Sequence, residues 1–143
     1  MIKNLYVSSS NKKINKTFIH KLVGLLREEL DFSLESLYIN FITAKEIHNI
    51  NKEFLNHDCS TDIITFNYSG SHFELDGEIF ISISDAKISA RKYRVSLAKE
   101  FIRLIIHGIL HLKGYDDIKK NDRVKMKRIE NNLTNIYNFA LLS

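Results

Sequence analysis

The sequence predicts an α+β fold, a four-stranded sheet packed with helices around one central buried helix, in a single domain spanning residues 1–143. Three observations carry that expectation. Four segments are rich in alternating, β-branched and aromatic residues as strands are, several others repeat apolar residues at helical spacing, and one of these, Leu97–Leu112, is apolar on nearly every side. A helix without a polar face belongs in the middle of the molecule.

Taken in order, Ile2–Val7 alternates well enough for a first strand, and from Ile14 to Leu30 the residues Phe18, Leu22, Leu25, Leu26 and Leu30 mark a helix. Leu34–Ile42 alternates as a half-buried strand does. Thr43 followed by Glu46 is a capping-box signature for a helix through Leu55 that stops at Asn56. Ile63–Tyr68 and Glu78–Ile83 are the third and fourth strands, with Ser69, Gly70 and Gly77 in the polar stretch between them. Ser84 or Asp85 caps a helix through Tyr93, and Ser96 caps the central helix, which Gly114 ends in a left-handed conformation. A last helix, Asn121–Leu141, has Val124, Met126, Ile129, Leu133, Ile136, Tyr137 and Phe139 to pack with.

Composition narrows the function classes. With 44% hydrophobic and 27% charged residues the chain is far from the composition of disordered proteins, and no proline, repeat or glycine-rich linker marks a domain boundary. The single cysteine, Cys59, cannot form an internal disulfide, which fits a reduced cytoplasmic location. The N-terminus has no signal-like apolar run, and Lys99, Glu100, Arg103 and His107 interrupt the most apolar segment, so neither export nor a membrane partner is expected. The net charge of +4 is modest, but its distribution is uneven. Lys119, Lys120, Arg123, Lys125, Lys127 and Arg128 cluster against one acid, Asp122, and Lys87, Arg91, Lys92 and Arg94 form a second group. Such runs are commonly solvated helix faces and gain meaning only beside a catalytic site.

His107 and His111 supply the candidate site. Four residues apart on a helix, they lie on one face with Cβ atoms about 5–6 Å apart, so two ring nitrogens can converge on one zinc ion. Histidines at this spacing are often incidental. Here they sit among apolar residues, where an unpartnered imidazole is costly and a metal would satisfy it. Gly114 can reverse the chain and return Asp116 or Asp117 past the same face as a third ligand, leaving a fourth position open as catalytic zinc requires. The position after the first histidine, which holds a glutamate base in zinc peptidases, is Gly108, so a peptidase is only the alternative reading.

The string HGILHLKGYDD, residues 107–117, resembles the signature His-Gly-x-Leu-His-Leu-x-Gly-Tyr-Asp-His of the YbeY family of metal-dependent endoribonucleases. NKEFLNHDCSTDIITF, residues 51–66, and GEIFIS, residues 77–82, resemble two further family segments in the same order. The resemblance implies one zinc ion on His107, His111 and Asp117. It further implies cleavage of ribosomal RNA in rRNA maturation and ribosome quality control, with the small ribosomal subunit as partner. Single-strand specificity is expected because a flexible strand can reach a recessed ion and a stiff A-form duplex cannot readily bend to it. A non-catalytic ribosome assembly factor with a structural metal is the other alternative. Asp117 stands where the family has a third histidine; it can still bind zinc, though an anionic ligand lowers the charge of the site and polarises water less. Leu55 stands where many members have an arginine, and cannot bind a phosphate. Thr61, Asp62 and Glu78 match family positions near strand ends and are candidates to orient ligands or take a proton, and Asp116 is a candidate proton shuttle.

Overall fold

The structure, a computed structural model, describes residues 1–142, with side chains described through Asn138. Strands β1 (Leu5–Ser9), β2 (Ser33–Ile42), β3 (Ile63–Asn67) and β4 (Glu74–Ser82) form one sheet in the order β1-β2-β4-β3. The first three of these neighbours run parallel, and β3 is antiparallel to β4 at the edge. Helices α1 (Lys16–Leu30), α2 (Ala44–Leu55), α3 (Ile83–Tyr93), α4 (Leu97–Leu112) and α5 (Lys120–Leu142) complete the fold. This is the α+β arrangement the sequence predicts, with α4 at its centre.

Alternation along the strands sorts the core. Leu37, Ile39 and Phe41 of β2 and Leu75, Ile79 and Ile81 of β4 are buried in the main core with α1 and α4. Ile64 of β3 and Phe80 of β4 point to the other face and pack with Ile42 and with Ile47 and Ile50 of α2. Ten of the sixteen residues of α4 are buried. From Arg103 onward only Arg103, His107 and His111 are partly open to solvent, a stripe with a spacing of four. The helix is held in the core on all sides but one, and that side carries the histidines.

Several boundaries differ from the expected ones. Strand β1 begins at Leu5, not Ile2, because Asn4 turns the chain with φ 68°. The Ile2 amide instead donates to Nδ1 of His20, 3.1 Å away. Strand β4 begins at Glu74, so Gly77 lies inside a strand: a Cβ there would fall 2.7 Å from both Leu112 Cδ2 and the Phe66 carbonyl. The cap of α3 is Ser82, whose side chain accepts from the Asp85 amide at 3.3 Å, rather than Ser84 or Asp85. In α5, Met126, Leu133 and Tyr137 are buried, but Val124 and Ile136 are exposed. Glu130 and Thr134 take buried positions in their place. Phe139 lies outside the described side chains.

Candidate metal centre

The C-terminal end of α4 turns where the sequence places the glycine. Gly114 has φ +98°, and its amide bonds to the His111 carbonyl at 3.0 Å, reversing the chain. Asp117 returns to the open stripe of α4. Its Oδ2 lies 3.4 Å from His111 Nε2 and 3.8 Å from His107 Nε2, and the two Nε2 atoms are 3.1 Å apart. Donors bound to one tetrahedral zinc at its usual distances are about 3.3–3.6 Å from each other. The observed triangle therefore fits a single ion with shifts of a few tenths of an ångström. Asp117 is grouped with the histidines and Asp116 is not: Asp116 is exposed, and its Oδ1 accepts from the Ile118 amide at 2.9 Å, a turn contact.

The three donors open into a cleft of about 540 Å³, also lined by Asn51, Leu55, His57, Thr61 and Thr65. Gly108 keeps α4 close to the sheet here, since a Cβ would lie 2.7 Å from Ile79 Cδ1 and 3.2 Å from Thr65 Oγ1. The small residue after His107 thus serves the approach of another chain segment. Leu55 faces the cleft without charge, and His57 lines the same cleft.

Two of the other candidates are placed differently from the sequence reading. Glu78 is on the opposite face of the sheet, accepting from Asn40 Nδ2 at 2.8 Å and from the Tyr68 hydroxyl at 2.9 Å. Burial, then that bond, pushes the Tyr68 hydroxyl up to about 12. Glu78 touches none of the three donors, because β4 residues alternate and its neighbours Gly77 and Ile79 face α4. Asp62 lies behind the site rather than in it, 3.7 Å from Arg103 Nη2. Burial raises its carboxyl above the ordinary value although Arg103 opposes the shift.

Behind the histidines is a polar network. Glu130 of α5, 4% exposed, bonds His107 Nδ1 through Oε1 and Arg103 Nη1 through Oε2, the latter at 3.1 Å. Arg103 also grips Glu100 with two bonds, of 2.7 and 2.9 Å. Burial alone would raise the Glu130 carboxyl, but the His107 bond, with Arg103, outweighs it and holds the group below its ordinary value. Sequence reasoning missed Glu130. The available signal was its place between Met126 and Leu133, four and three residues away on the apolar stripe of α5, where an acid must have a partner.

Comparison with known proteins places nearly the whole chain in a family. The family described as "Endoribonuclease YbeY" matches residues 3–138. A protein named Endoribonuclease YbeY from Chlorobium phaeobacteroides is 38% identical over 123 residues, 86% of each chain. Another of that name, from Chlorobium limicola, is 35% identical over 133 residues, 93% of this chain and 92% of the relative. The solution structure of TM1509 from Thermotoga maritima shares the fold with a TM-score of 0.64 at 23% identity, covering 95% of this chain and 93% of that one. No helix among the described residues is long and apolar enough to cross a membrane. On matches that span nearly its whole length, this chain belongs to the YbeY endoribonuclease family.

Proposed function

We propose that the chain is a zinc-dependent endoribonuclease that cuts single-stranded RNA in ribosomal RNA maturation and ribosome quality control. It acts in the cytoplasm on the small ribosomal subunit. The observation that carries this reading is the triangle of His107 Nε2, His111 Nε2 and Asp117 Oδ2, with separations of 3.1–3.8 Å at the wall of an open cleft. Three donors are one short of a closed structural site. Zinc held there supplies Lewis-acid chemistry, polarising a phosphoryl oxygen and making water a stronger nucleophile at neutral pH.

The chain's own residues do the rest. His107 and His111 come from consecutive turns of a buried helix, so their rings are oriented before RNA arrives and little ordering is needed on binding. The cleft rim carries His57 and Thr61, which can donate to phosphate oxygens. The exposed cations Lys125, Lys127 and Arg128 of α5 lie on the same helix as Glu130, which touches His107, and attract the backbone. An unpaired strand can bend its phosphate into such a recess, whereas a stiff A-form duplex cannot. Asp62 is paired with Arg103 behind the site, and Glu78 and Asp116 lie away from the three donors.

The test is a pair of variants, His111→Ala and Asp117→Ala, measured for zinc content, circular dichroism and cleavage of single-stranded against duplex RNA. Both are expected to fold, to hold zinc more weakly than the parent and to lose cleavage, and the parent is expected to prefer the single strand. Variants that lack zinc yet cut RNA like the parent overturn the proposal. Variants that unfold without zinc favour the structural-metal alternative.

A further inference from the structure

The buried carboxylate of Glu130 has a second consequence for the site. We propose that Glu130 is the positioning residue for His107: it keeps the ring proton on Nδ1, so that the Nε2 lone pair faces the cleft and is free for a cation. The inference rests on the reading of His107, His111 and Asp117 as a zinc site.

A neutral imidazole carries one proton, and the nitrogen without it is the one that binds a metal. An ionised carboxylate only accepts, so the nitrogen facing Glu130 Oε1 must be the one that bears hydrogen. The other nitrogen, Nε2, then points its lone pair at His111 Nε2 and Asp117. The 3.1 Å contact between the two Nε2 atoms is consistent with this, as His111 can donate into the free lone pair of His107.

Glu130 is itself held on both sides. Its Oε2 accepts from Arg103 Nη1 at 3.1 Å, and Arg103 is fixed by its paired bonds to Glu100. Thr134 Oγ1 donates to the Glu130 carbonyl at 2.6 Å and braces the backbone of α5. Two donors, one from His107 and one from Arg103, thus converge on one side chain, and only a group with two acceptor oxygens serves both. Glutamine offers one oxygen, so its NH2 must face a donor on one side or the other. A contact that merely docked α5 on α4 would be met more cheaply by an apolar residue such as the neighbouring Met126 or Leu133. The buried acid is explained by what it does to the ring.

The experiment reads the ring directly. Long-range ¹H–¹⁵N correlation spectra of metal-free protein, at a pH where the rings are neutral, report which His107 nitrogen is protonated. Zinc affinity is measured alongside by competition with a chromophoric chelator, in the parent, Glu130→Gln and Leu133→Ala. The parent is expected to hold His107 as the Nδ1–H form. Glu130→Gln is expected to mix the two forms and to bind zinc about 10- to 100-fold more weakly. Leu133→Ala loosens the same helix contact without touching His107 and is expected to keep the parent's tautomer and affinity. A parent with His107 protonated on Nε2, or a Glu130→Gln variant that binds zinc as tightly as the parent, overturns the proposal. If Glu130→Gln does not fold, the parent spectrum still decides. A parent that takes up no zinc removes the reading of the site instead, and the tautomer in metal-free protein tells the two failures apart.

Discussion

His107 and Asp117 come within 3.8 Å of each other but are held there by opposite means. His107 projects from a helix enclosed by the core, and its far nitrogen is tied to a buried acid that is tied in turn to Arg103. Asp117 sits on a bend after Gly114 with its side chain 41% exposed, and among the described residues its salt bridges are to the two histidines. One donor is preorganised by packing; the other is delivered by a turn. Half of the candidate site is thus built into the core, while the other half rests on a partly exposed turn.

The largest expected effect tests that asymmetry. His111→Ala removes a preorganised donor and should weaken zinc binding by on the order of a thousandfold, roughly 4 kcal/mol. Asp117→Ala should cost about 10- to 100-fold, because ordering an exposed loop side chain offsets part of what its bond contributes. Chelator competition on the folded variants measures both. Equal losses, or a larger one at Asp117, would show that the bend is as rigid as the helix.

Next comes the packing that sets the helix in place. Gly108→Ala drives a Cβ to 2.7 Å from Ile79 Cδ1, inside a core where Ile79 is fully buried. Overpacking of this kind should lower stability by about 1–3 kcal/mol, read as a shift in the urea midpoint. Because the displaced turn carries His107, zinc affinity should fall with it. A variant as stable as the parent would mean that Ile79 can swing aside and that the close approach of α4 to the sheet is not required.

The contrast between the two halves also explains what could be read without a structure. His107, His111, Gly114 and the Asp116–Asp117 pair lie within eleven residues, so helical spacing plus one left-handed residue brings an aspartate to the histidines, while local rules leave open which of the two it is. Glu130 is 23 residues from His107, and nothing in the spacing of α5 says which helix its apolar stripe meets. Gly77 misled for a related reason. It reads as a turn residue, yet it lies in the strand, where Leu112 of α4 and the Phe66 carbonyl leave no room for a Cβ. Asp62 and Glu78 stood near strand ends in the sequence, but which face each points to depends on a register that only the sheet defines.

A smaller effect is expected where the protein meets RNA. Lys125, Lys127 and Arg128 are exposed on α5. Replacing one of them with alanine should weaken RNA binding uniformly across sequences and lower the slope of log affinity against log salt by about one. Titrations of a single-stranded RNA at several salt concentrations give that slope. Removal of an exposed cation from the turn before β1, Lys3→Ala, serves as the comparison. Equal slopes for all of these variants would place the backbone path elsewhere.

The smallest effect concerns Glu130 and Asp62, two of the three carboxylates around Arg103. Glu130 is held below its ordinary value, so its contribution to stability is present above the unfolded-state value and is lost as pH falls through the folded one. Asp62 is raised, with burial outweighing Arg103, so the sign reverses: the native state favours the protonated form, and stability is lost as pH rises from the ordinary carboxylate value through the raised one. Asp62→Asn removes that loss and should leave the protein slightly more stable at neutral pH, within about 1 kcal/mol given the partial exposure of the pair. The difference should shrink as pH falls into the carboxylate range, because both side chains are then neutral. Urea unfolding at several pH values measures it. A variant that is less stable than the parent at neutral pH, with the gap closing in acid, would mean that Arg103 holds Asp62 as firmly as it holds Glu130, and that both acids belong to the support of His107.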